Sequence, residues 1–412
     1  YAETYFYQGK SGQDGALKGQ VEKLIAYDGN NRKISETFNT YEVKKAGPAS
    51  NVLGFPALIE NTTTIYEENG SSITTRNTFT YDNIGNVLEE VTEGDIAKTG
   101  DEKSTQTTYN PAYDIGTSTT LSAGFNRPQQ ITLKDASGAL VSQKNFIQYD
   151  TKGNLLQESV WLYDPLTSNV SYPSSSYGYD SFGNLTSSTN SLGKTTTTDY
   201  ETTFYAYPEK VTNSLTQSVT SVYDAKFGVV TKTTDPNGLV SEVAYDSLGR
   251  PTQKVVHNPD PLTLITYSYP DFNTKITTNA IGLSATEYID GLGRKYKTVS
   301  VGEDGNSSRQ VSSETYYNNR GLTDKETLPH YIDEDLAQIS YIRYEYDLRG
   351  RIKKTISDFP GTLKDAEASV NYISPLYIET TDTEGHRKGT LKDVYGNIIE
   401  VTEFTQGGVY KT

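Results

Sequence analysis

The stretch Tyr245-Asp246-Ser247-Leu248-Gly249-Arg250 decides the fold of this chain, because its pattern recurs along the sequence. The pattern Tyr-Asp-x-x-Gly-[Asn/Arg] has four further copies, which are Tyr81-Asp82-Asn83-Ile84-Gly85-Asn86, Tyr149-Asp150-Thr151-Lys152-Gly153-Asn154, Tyr179-Asp180-Ser181-Phe182-Gly183-Asn184 and Tyr346-Asp347-Leu348-Arg349-Gly350-Arg351. A recurring unit predicts a repeat architecture, in which each small unit stacks on its neighbours to build one continuous structure.

Each copy has the chemistry of a tight turn. The aspartate can accept hydrogen bonds from the backbone amides that follow it, and the glycine can adopt a positive φ at little steric cost. Together they predict a type I turn closed by a left-handed glycine, a common loop of β-hairpins. The candidate structural residues are therefore those of the repeat turns: Tyr81, Asp82, Gly85, Tyr149, Asp150, Gly153, Tyr179, Asp180, Gly183, Tyr245, Asp246, Gly249, Tyr346, Asp347 and Gly350.

Alternating β-forming residues flank these turns. Thr78-Phe79-Thr80-Tyr81 comes before one turn and Val87-Leu88-Glu89-Glu90-Val91 follows it, and this alternation is typical of half-buried antiparallel strands. We therefore expect an all-β chain of antiparallel hairpins, with tyrosine at the end of each incoming strand. Since one hairpin cannot cover its own apolar face, we expect the five leading tyrosines to be largely buried between neighbouring repeats.

Looser copies fill the gaps between the five. Some keep the tyrosine-aspartate pair with an altered turn, as at Tyr27-Asp28, Tyr113-Asp114 and Tyr223-Asp224. A second set of turns lacks the tyrosine, and its members begin at Asp135, Asp235, Glu303 and Asp382. The spacing from Tyr223 to Tyr245 is about half that from Tyr245 to Tyr288. A unit of roughly 20 residues, with two strands and two turns, fits this spacing.

The repeats resemble the RHS/YD-repeat family, which occurs in bacterial polymorphic toxins, in the B and C components of insecticidal toxin complexes and in animal teneurins. The most specific match runs from Asp235-Pro236-Asn237-Gly238 to Tyr245-Asp246-Ser247-Leu248-Gly249-Arg250-Pro251. The opening Thr4-Tyr5-Phe6-Tyr7-Gln8-Gly9 is similar to the segment where the repeats begin in toxin-complex B components and SpvB-type virulence proteins. The resemblance covers nearly the whole chain.

The resemblance implies a spiralling strip of antiparallel β-hairpins that forms a hollow shell around a toxic domain. The expected function is that of a non-catalytic shell segment of a secreted or cell-surface bacterial toxin or toxin-complex subunit. The expected partners are a toxin cargo domain, in the same or a partner chain, and other toxin-complex subunits. Many family members end in a self-cleaving segment with an aspartate pair. Nothing after Asp393 resembles that segment, so we do not expect autoproteolysis in this chain.

Composition agrees with a thin curved sheet. Only 34% of the 412 residues are hydrophobic, and 33 residues are tyrosine, whose ring packs while its hydroxyl keeps a polar partner. The net charge of −15 disfavours nucleic acid and anionic membrane surfaces as partners. No apolar stretch reaches the ~18 residues that a membrane span needs.

Motifs for chemistry are weak in this sequence. The chain has no cysteine, which excludes disulfides, zinc–thiolate sites and thiol catalysis. His257, His330 and His386 lie far apart, and the repeated aspartates are better explained as turn residues. Calcium binding at residues 333–335 or 304–306 lacks the ligand spacing of an EF-hand. We therefore expect no catalytic residue, no cofactor, no metal and no enzymatic activity.

The coarse organisation follows from the repeats. Residues 1–66 form a region that leads into them, and residues 67–412 form one continuous repeat unit, which we expect to be a piece of a longer chain. We also expect the following local features: a strand at 20–27, a loop at 47–56, larger excursions at 93–104, 162–176, 258–262 and 358–368, and a short helix at 334–339.

Two functional classes remain compatible with the sequence. The first is the encapsulating shell. The second is an extracellular adhesion or carbohydrate-binding array, in which exposed tyrosine rings stack on sugars. An enzyme acting on polysaccharide is a weaker third, because no carboxylate pair stands out from the turn aspartates. The domains that flank this region in the parent chain would distinguish the first two classes.

Overall fold

A computed structural model describes residues 1–8, 13–45, 54–82, 85–109, 127–257, 263–279, 283–301, 309–361 and 365–412. Within these residues the chain is almost entirely antiparallel β-structure. One sheet contains 32 strands, and a separate hairpin contains two. The predicted all-β hairpin repeat fold is confirmed. At about 4.8 Å between strands, the large sheet is a strip about 150 Å long.

The strands in the first half of the strip are 3 to 13 residues long. They are β1 (Ala2–Phe6), β2 (Val21–Tyr27), β3 (Lys33–Lys45), β4 (Gly54–Tyr66), β5 (Ser72–Tyr81), β6 (Val87–Asp95), β7 (Lys103–Tyr109), β8 (Pro128–Asp135), β9 (Leu140–Tyr149), β10 (Leu155–Val160), β11 (Leu162–Asp164), β12 (Asn169–Ser171), β13 (Ser174–Tyr179), β14 (Leu185–Thr189), β15 (Thr195–Tyr200), β16 (Pro208–Thr212) and β17 (Ser218–Asp224).

The second half of the strip contains strands that are 2 to 9 residues long. Its strands are β18 (Val229–Thr234), β19 (Val240–Tyr245), β20 (Pro251–His257), β21 (Thr263–Asp271), β22 (Thr274–Asn279), β23 (Ser284–Ile289), β24 (Lys295–Val301), β25 (Gln310–Tyr317), β26 (Thr323–Thr327), β27 (His330–Tyr331), β28 (Tyr341–Tyr346), β29 (Ile352–Asp358), β30 (Ala366–Ser374), β31 (Tyr377–Thr381), β32 (Arg387–Lys392), β33 (Ile398–Thr405) and β34 (Gly408–Lys411). Among the described residues, two 3-10 helices occupy Gln13–Leu17 and Leu336–Gln338.

The strands follow one another as an up-and-down meander. Each strand pairs antiparallel with the next, as β19 does with β20. The meander departs from this order in two places. Strands β11 and β12 form their own hairpin while β10 pairs directly with β13, and β25 pairs with both β26 and β27.

A β-bulge precedes each of the five leading tyrosines. Ala244 pairs with Gln253, but Tyr245 pairs with Pro251, so one residue of β20 is left over. The same shift occurs beside the other four tyrosines. Because a bulge bends a strand and increases its twist, its repetition at one end of the hairpins favours a curved strip.

Turns alternate between the two long edges of the strip, because consecutive strands run in opposite directions. We call the edge that carries the turn at residues 246–250 the lower rim, and the edge that carries the turn at 235–239 the upper rim. All five complete Tyr-Asp-x-x-Gly turns lie on the lower rim. The tyrosine-free turns that begin at Asp135, Asp235 and Asp382 lie on the upper rim.

Burial in this fold is shallow. The leading tyrosines Tyr81, Tyr149, Tyr179, Tyr245 and Tyr346 are mostly covered but not fully buried, in agreement with the prediction that they are largely buried. A sheet that is one layer thick leaves part of each ring open to solvent. Among the described residues, the fully buried apolar side chains are Leu17, Ile25, Ala57, Ile73, Ile339 and Ile356.

Several predicted local features begin or end at other residues than predicted. Strand β2 covers most of the predicted strand at 20–27, and the short helix at 334–339 is a single 3-10 turn. The predicted loop at 47–56 is too long, because β4 already begins at Gly54; its residues 47–53 lie outside the described residues. The excursion at 162–176 contains the hairpin β11–β12, whereas that at 93–104 is shorter, since β6 continues to Asp95.

Some predictions fall outside the described residues. The excursion at 258–262, the turn after Glu303, the acidic residues 304–306 and the pair Tyr113-Asp114 belong to this group. The predicted excursion at 358–368 is described except for 362–364, and it is too long, because β29 ends at Asp358 and β30 already begins at Ala366. The boundary at residue 66 stays a prediction. The strands on its two sides, β4 and β5, pair with each other in one sheet.

Candidate functional site

The turn at 246–250 shows how the repeat sequence builds its hairpin. The backbone amide of Asp246 donates to the carbonyl of Arg250 at 2.9 Å, and the amide of Gly249 donates to the carbonyl of Asp246 at 3.0 Å. The Asp246 carboxylate accepts from the amides of Leu248 and Arg250, both at 2.9 Å. The aspartate therefore supplies three of its polar groups to one turn, as the Asx-turn chemistry requires.

The last residue of the motif completes the turn with its side chain. Arg250 Nε donates to Asp246 Oδ2 at 2.8 Å, and Asn154 Nδ2 donates to Asp150 Oδ2 at 2.9 Å. The same contact joins Asn86 to Asp82, Asn184 to Asp180, Arg294 to Asp290 and Arg351 to Asp347. Sequence reasoning missed this pairing, although the restriction of the last position to Asn or Arg was its signal.

Arginine at this position also joins one repeat to the next. The guanidinium of Arg250 lies 4.2 Å from the ring centre of Tyr269, that of Arg294 lies 4.0 Å from Tyr317, and that of Arg351 lies 3.6 Å from Tyr372. In each case the tyrosine lies at or within two residues of the end of a strand in the following repeat. A guanidinium over an aromatic face is attracted by the ring quadrupole, so the motif forms a ladder of carboxylate, guanidinium and ring along the lower rim.

The leading tyrosines connect repeats through their hydroxyls. Tyr245 Oη donates to the carbonyl of Val230 at 2.8 Å, and Tyr346 Oη donates to that of Thr323 at 2.7 Å. Tyr81 and Tyr149 make the same bond to Leu58 and Pro128. Tyr179 lies half-buried at the matching place, where burial raises the pKa of its hydroxyl. The acceptor belongs to the preceding strand, so each ring bridges two units.

The looser copies fold in the same way with substitutions. Asn31 takes the glycine position of the turn after Tyr27 with a φ of 61°, and Asn tolerates this backbone better than most residues. Arg32 Nε donates to Asp28 Oδ2 at 2.8 Å. His386 takes the last position of an upper-rim turn, where its Nδ1 lies 2.9 Å from Asp382 Oδ2. This histidine is therefore part of a turn.

Several turn aspartates have a pKa below the ordinary value. In Asp246 and Asp290 the largest cause is the hydrogen bond from the backbone amide of the last motif residue. The paired guanidinium lowers the pKa further, and together these bonds outweigh partial burial. Asp150, Asp180 and Asp393 are lowered too. The ionised carboxylate is thus the form that the folded turn prefers.

We expect acid to destabilise this protein below about pH 4. Because the pKa of these aspartates is lower in the folded protein, the unfolded chain binds protons first as the pH falls. The stability that they contribute above about pH 4 is therefore lost as the pH falls through their folded pKa values. The urea midpoint should be constant from about pH 7 to 5 and drop steeply near pH 3. Asp246→Asn keeps an Asx turn but should show a weaker drop. A midpoint independent of pH would contradict this account.

Gly249 should tolerate alanine worse than Gly193 does. Both glycines have a positive φ, 77° and 71°, which costs an alanine about 1–2 kcal/mol. A Cβ on Gly249 would lie 3.1 Å from the Phe227 ring, whereas one on Gly193 meets open space. Thermal midpoints of the two alanine variants would show the difference. Equal losses would mean that the ring moves aside.

The upper rim near residue 67 meets the lower rim near residue 349, and we call this contact the seam. The Glu67 side chain is 1% exposed and accepts from Arg349 Nη1 at 2.8 Å and from both terminal nitrogens of Arg351. The amide of Leu348 donates to Glu68 Oε1 at 2.9 Å. A buried carboxylate needs such partners to stay charged. Burial lowers the pKa of Arg351, but its hydrogen bonds to Glu67 and Asp347 outweigh burial and raise it overall.

The seam continues along the strip. Asn69 Nδ2 donates to the carbonyl of Ile373 at 2.8 Å. Tyr395 Oη donates to the carbonyl of Asp101 at 2.7 Å, and Lys103 Nζ lies 3.3 Å from the centre of the Tyr395 ring. These contacts join residues 280 to 304 positions apart in sequence. The strip therefore returns to itself after one curl, and the lower rim of the later tier rests on the upper rim of the earlier one.

Residues for other kinds of chemistry are scattered in the structure. His257 lies 3.2 Å from Glu242, and His330 Nδ1 lies 3.1 Å from the carbonyl of Leu328. Among the described residues, no group of three His, Cys, Asp or Glu side chains is placed to hold a metal ion. None of the described helices is long and apolar enough to cross a membrane.

A curved strip of antiparallel hairpins stacked in tiers is a β-hairpin repeat shell. No family model and no curated protein matches this sequence. The chain is similar, over 97% of its length, to the crystal structures of TcdB2-TccC3, with a TM-score of 0.72 and 12% identity, and of TcdB2-TccC3 without its hypervariable C-terminal region, with the same values. A TcdB2-TccC3-Cdc42 structure matches with a TM-score of 0.71.

The shared feature is the fold. The chain spans 28% to 30% of the length of the chains that it matches, and 12% identity leaves few side chains in common. The Tyr-Asp repeats resemble those of toxin-complex proteins, and the structural similarity leads to the same class of proteins. The repeat turns and the seam are the parts of this chain that hold that architecture together.

Proposed function

We propose that this chain is a segment of a wall that encloses a toxin cargo in a secreted or cell-surface bacterial toxin complex. The observation that carries the proposal is the seam, because contacts across 280 to 304 residues join two successive tiers of the strip into one wall. The shell fold shared with TcdB2-TccC3 supports it. The cargo would lie in the same chain or in a partner chain, and other toxin-complex subunits would be further partners.

The proposed mechanism is steric. The turn carboxylates hold their own hairpins through backbone amides and through Asn or Arg side chains, as at Asp246 and Asp347, so they serve structure in our proposal and do no chemistry. The wall would isolate the cargo from proteases and solvent until it opens. The seam is the natural place for opening, because it joins tiers through side chains, whereas the sheet joins strands through backbone hydrogen bonds.

Limited proteolysis of the parent protein with its cargo would test this function. The cargo should resist digestion in the wild type and become sensitive in Glu67→Ala, which removes the central carboxylate of the seam. Arg250→Ala is the control, because it breaks a turn pair away from the seam. Equal cargo sensitivity in all three proteins would overturn the encapsulation proposal and favour an adhesion or carbohydrate-binding array.

A further inference from the structure

Asparagine followed by glycine occurs twice in this chain, at Asn69-Gly70 and at Asn237-Gly238. Such a pair can lose ammonia without an enzyme. The glycine nitrogen attacks the side-chain carbon Cγ of the asparagine, the Cγ–Nδ2 bond breaks, and Nδ2 leaves as ammonia. Water then opens the cyclic imide to aspartate or isoaspartate. Glycine favours the ring closure because it has no side chain to hinder it.

The two pairs lie in turns of the same geometry. In the first turn the amide of Gly70 donates to the carbonyl of Glu67 at 3.0 Å, and in the second the amide of Gly238 donates to the carbonyl of Asp235 at 3.0 Å. The two glycines have φ values of 86° and 81°. Both asparagines are exposed to water. Burial and backbone shape therefore do not distinguish the two sites.

The seam does distinguish them. Asn69 Nδ2 donates to the carbonyl of Ile373 at 2.8 Å, and Asn69 Oδ1 accepts from the amide and the hydroxyl of Ser71 at 3.0 and 2.8 Å. Within the described residues, the side chain of Asn237 has no hydrogen-bond partner. Ring closure requires the side-chain amide to rotate onto the glycine nitrogen. The seam therefore holds Asn69 back, whereas Asn237 is free to react.

We propose that Asn69 is a deamidation site that the closed seam protects and the open seam releases, so that opening becomes irreversible. The product has no amide to donate to the Ile373 carbonyl, and its carboxylate would face that carbonyl oxygen. It also adds a negative charge next to Glu67 and Glu68. Isoaspartate lengthens the main chain of the turn by one carbon. The inference rests on the seam alone and does not depend on what the wall encloses.

Deamidation rates of the whole 412-residue chain, measured by mass spectrometry of the peptides that contain each asparagine, would test the protection. Each rate is taken at mildly alkaline pH with and without denaturing urea, and the ratio of the two rates corrects for local sequence. Asn69 should be protected at least about tenfold more than Asn237, the factor expected from one hydrogen bond. Equal protection of the two sites would overturn the proposal.

A variant on the opposite side of the seam opens it without changing the turn that contains Asn69. The double variant Arg349→Ala, Arg351→Ala removes both guanidinium partners of Glu67 and should raise the native deamidation rate of Asn69 about tenfold. Arg250→Ala breaks a turn pair away from the seam and should leave this rate unchanged. An equal rise in Arg250→Ala would show general loosening of the fold and would contradict protection by the seam.

Ser71→Ala is a milder variant that leaves the ion pairs of the seam in place. It removes only the hydroxyl that contacts Asn69 Oδ1 and the Ile373 carbonyl, so it should raise the Asn69 rate by a smaller factor than the double arginine variant does. If neither variant changes the Asn69 rate, the seam does not protect this residue and the proposal is wrong.

Hydrogen exchange tests the consequence for the seam. The amide of Leu348 donates to Glu68 Oε1 at 2.9 Å across the seam, so its exchange rate reports opening. Asn69→Asp should raise that rate about tenfold, since one hydrogen bond across the seam is lost. Asn237→Asp is the matched control and should leave it unchanged. An unchanged Leu348 rate in Asn69→Asp would show that deamidation does not keep the seam open, and the irreversible step would be wrong.

Discussion

Replacing Arg351 by alanine is expected to cost about 3–5 kcal/mol of unfolding free energy, the usual penalty for removing one partner of a buried ion pair. Arg351 pairs with the side chains of Glu67 and Asp347, which are 1% and 3% exposed. The variant leaves both carboxylates in a buried site, where Arg349 can serve only Glu67. The Tyr372 ring also loses the guanidinium that covers it.

Arg250→Ala is the matched control for this prediction. Arg250 has the same motif position, the same pairing with an aspartate and the same stacking on a tyrosine of the next repeat. It has no seam partner, and its Asp246 is more exposed than Asp347. The difference between the two alanine variants therefore measures the seam. A loss for Arg351→Ala no larger than that for Arg250→Ala would show that the seam adds nothing to stability.

The seam also predicts how unfolding changes. In a simple repeat strip each unit contacts only its neighbours, so stability is a sum of local terms. The seam adds a contact between residues about one curl apart, as between Glu67 and Arg351. Arg351→Ala should therefore separate the urea unfolding of the two tiers into distinct transitions, followed by tyrosine fluorescence or circular dichroism. One unchanged cooperative transition would contradict this coupling.

Local chemistry made most of the fold predictable. The turn at 246–250 needs only Asp246, Gly249 and the alternation of the flanking strands, and these interactions lie within six residues of one another. The identity of the last motif residue was visible in the sequence, but its bond to the aspartate was not recognised. The turn after Tyr27 shows the limit of the pattern, since Asn31 replaces the glycine with the same backbone geometry.

The seam could not be predicted from the sequence. Glu67 and Glu68 look like an ordinary pair of exposed turn residues, and nothing local distinguishes them. Their partners, Arg349 and Arg351, are set by the summed bend and twist of all the hairpins between. A small error in each bulge would shift the register of the two rims.

The leading tyrosines are the second large determinant of stability. Tyr245→Ala should cost about 2–3 kcal/mol of unfolding free energy. This is less than the ~3–5 kcal/mol for a fully buried aromatic side chain, because the Tyr245 ring is only partly buried. Tyr245→Phe removes only the hydrogen bond to the Val230 carbonyl and should cost about 0.5–1.5 kcal/mol. Tyr410→Ala, at an exposed tyrosine of β34, should change stability by less than about 0.5 kcal/mol.

Urea midpoints of these three variants, with hydrogen exchange of the amides in β17–β20, would separate the two roles of Tyr245. If the ring bridges repeats, Tyr245→Ala should raise exchange in β18 as well as in β19, because Val230 lies in β18 and Tyr245 ends β19. If the hydroxyl alone matters, the phenylalanine variant should lose as much as the alanine variant. A Tyr245→Ala protein as stable as Tyr410→Ala would show that the leading tyrosine does not join repeats, and the recurrence of Tyr before Asp would then need a role other than packing.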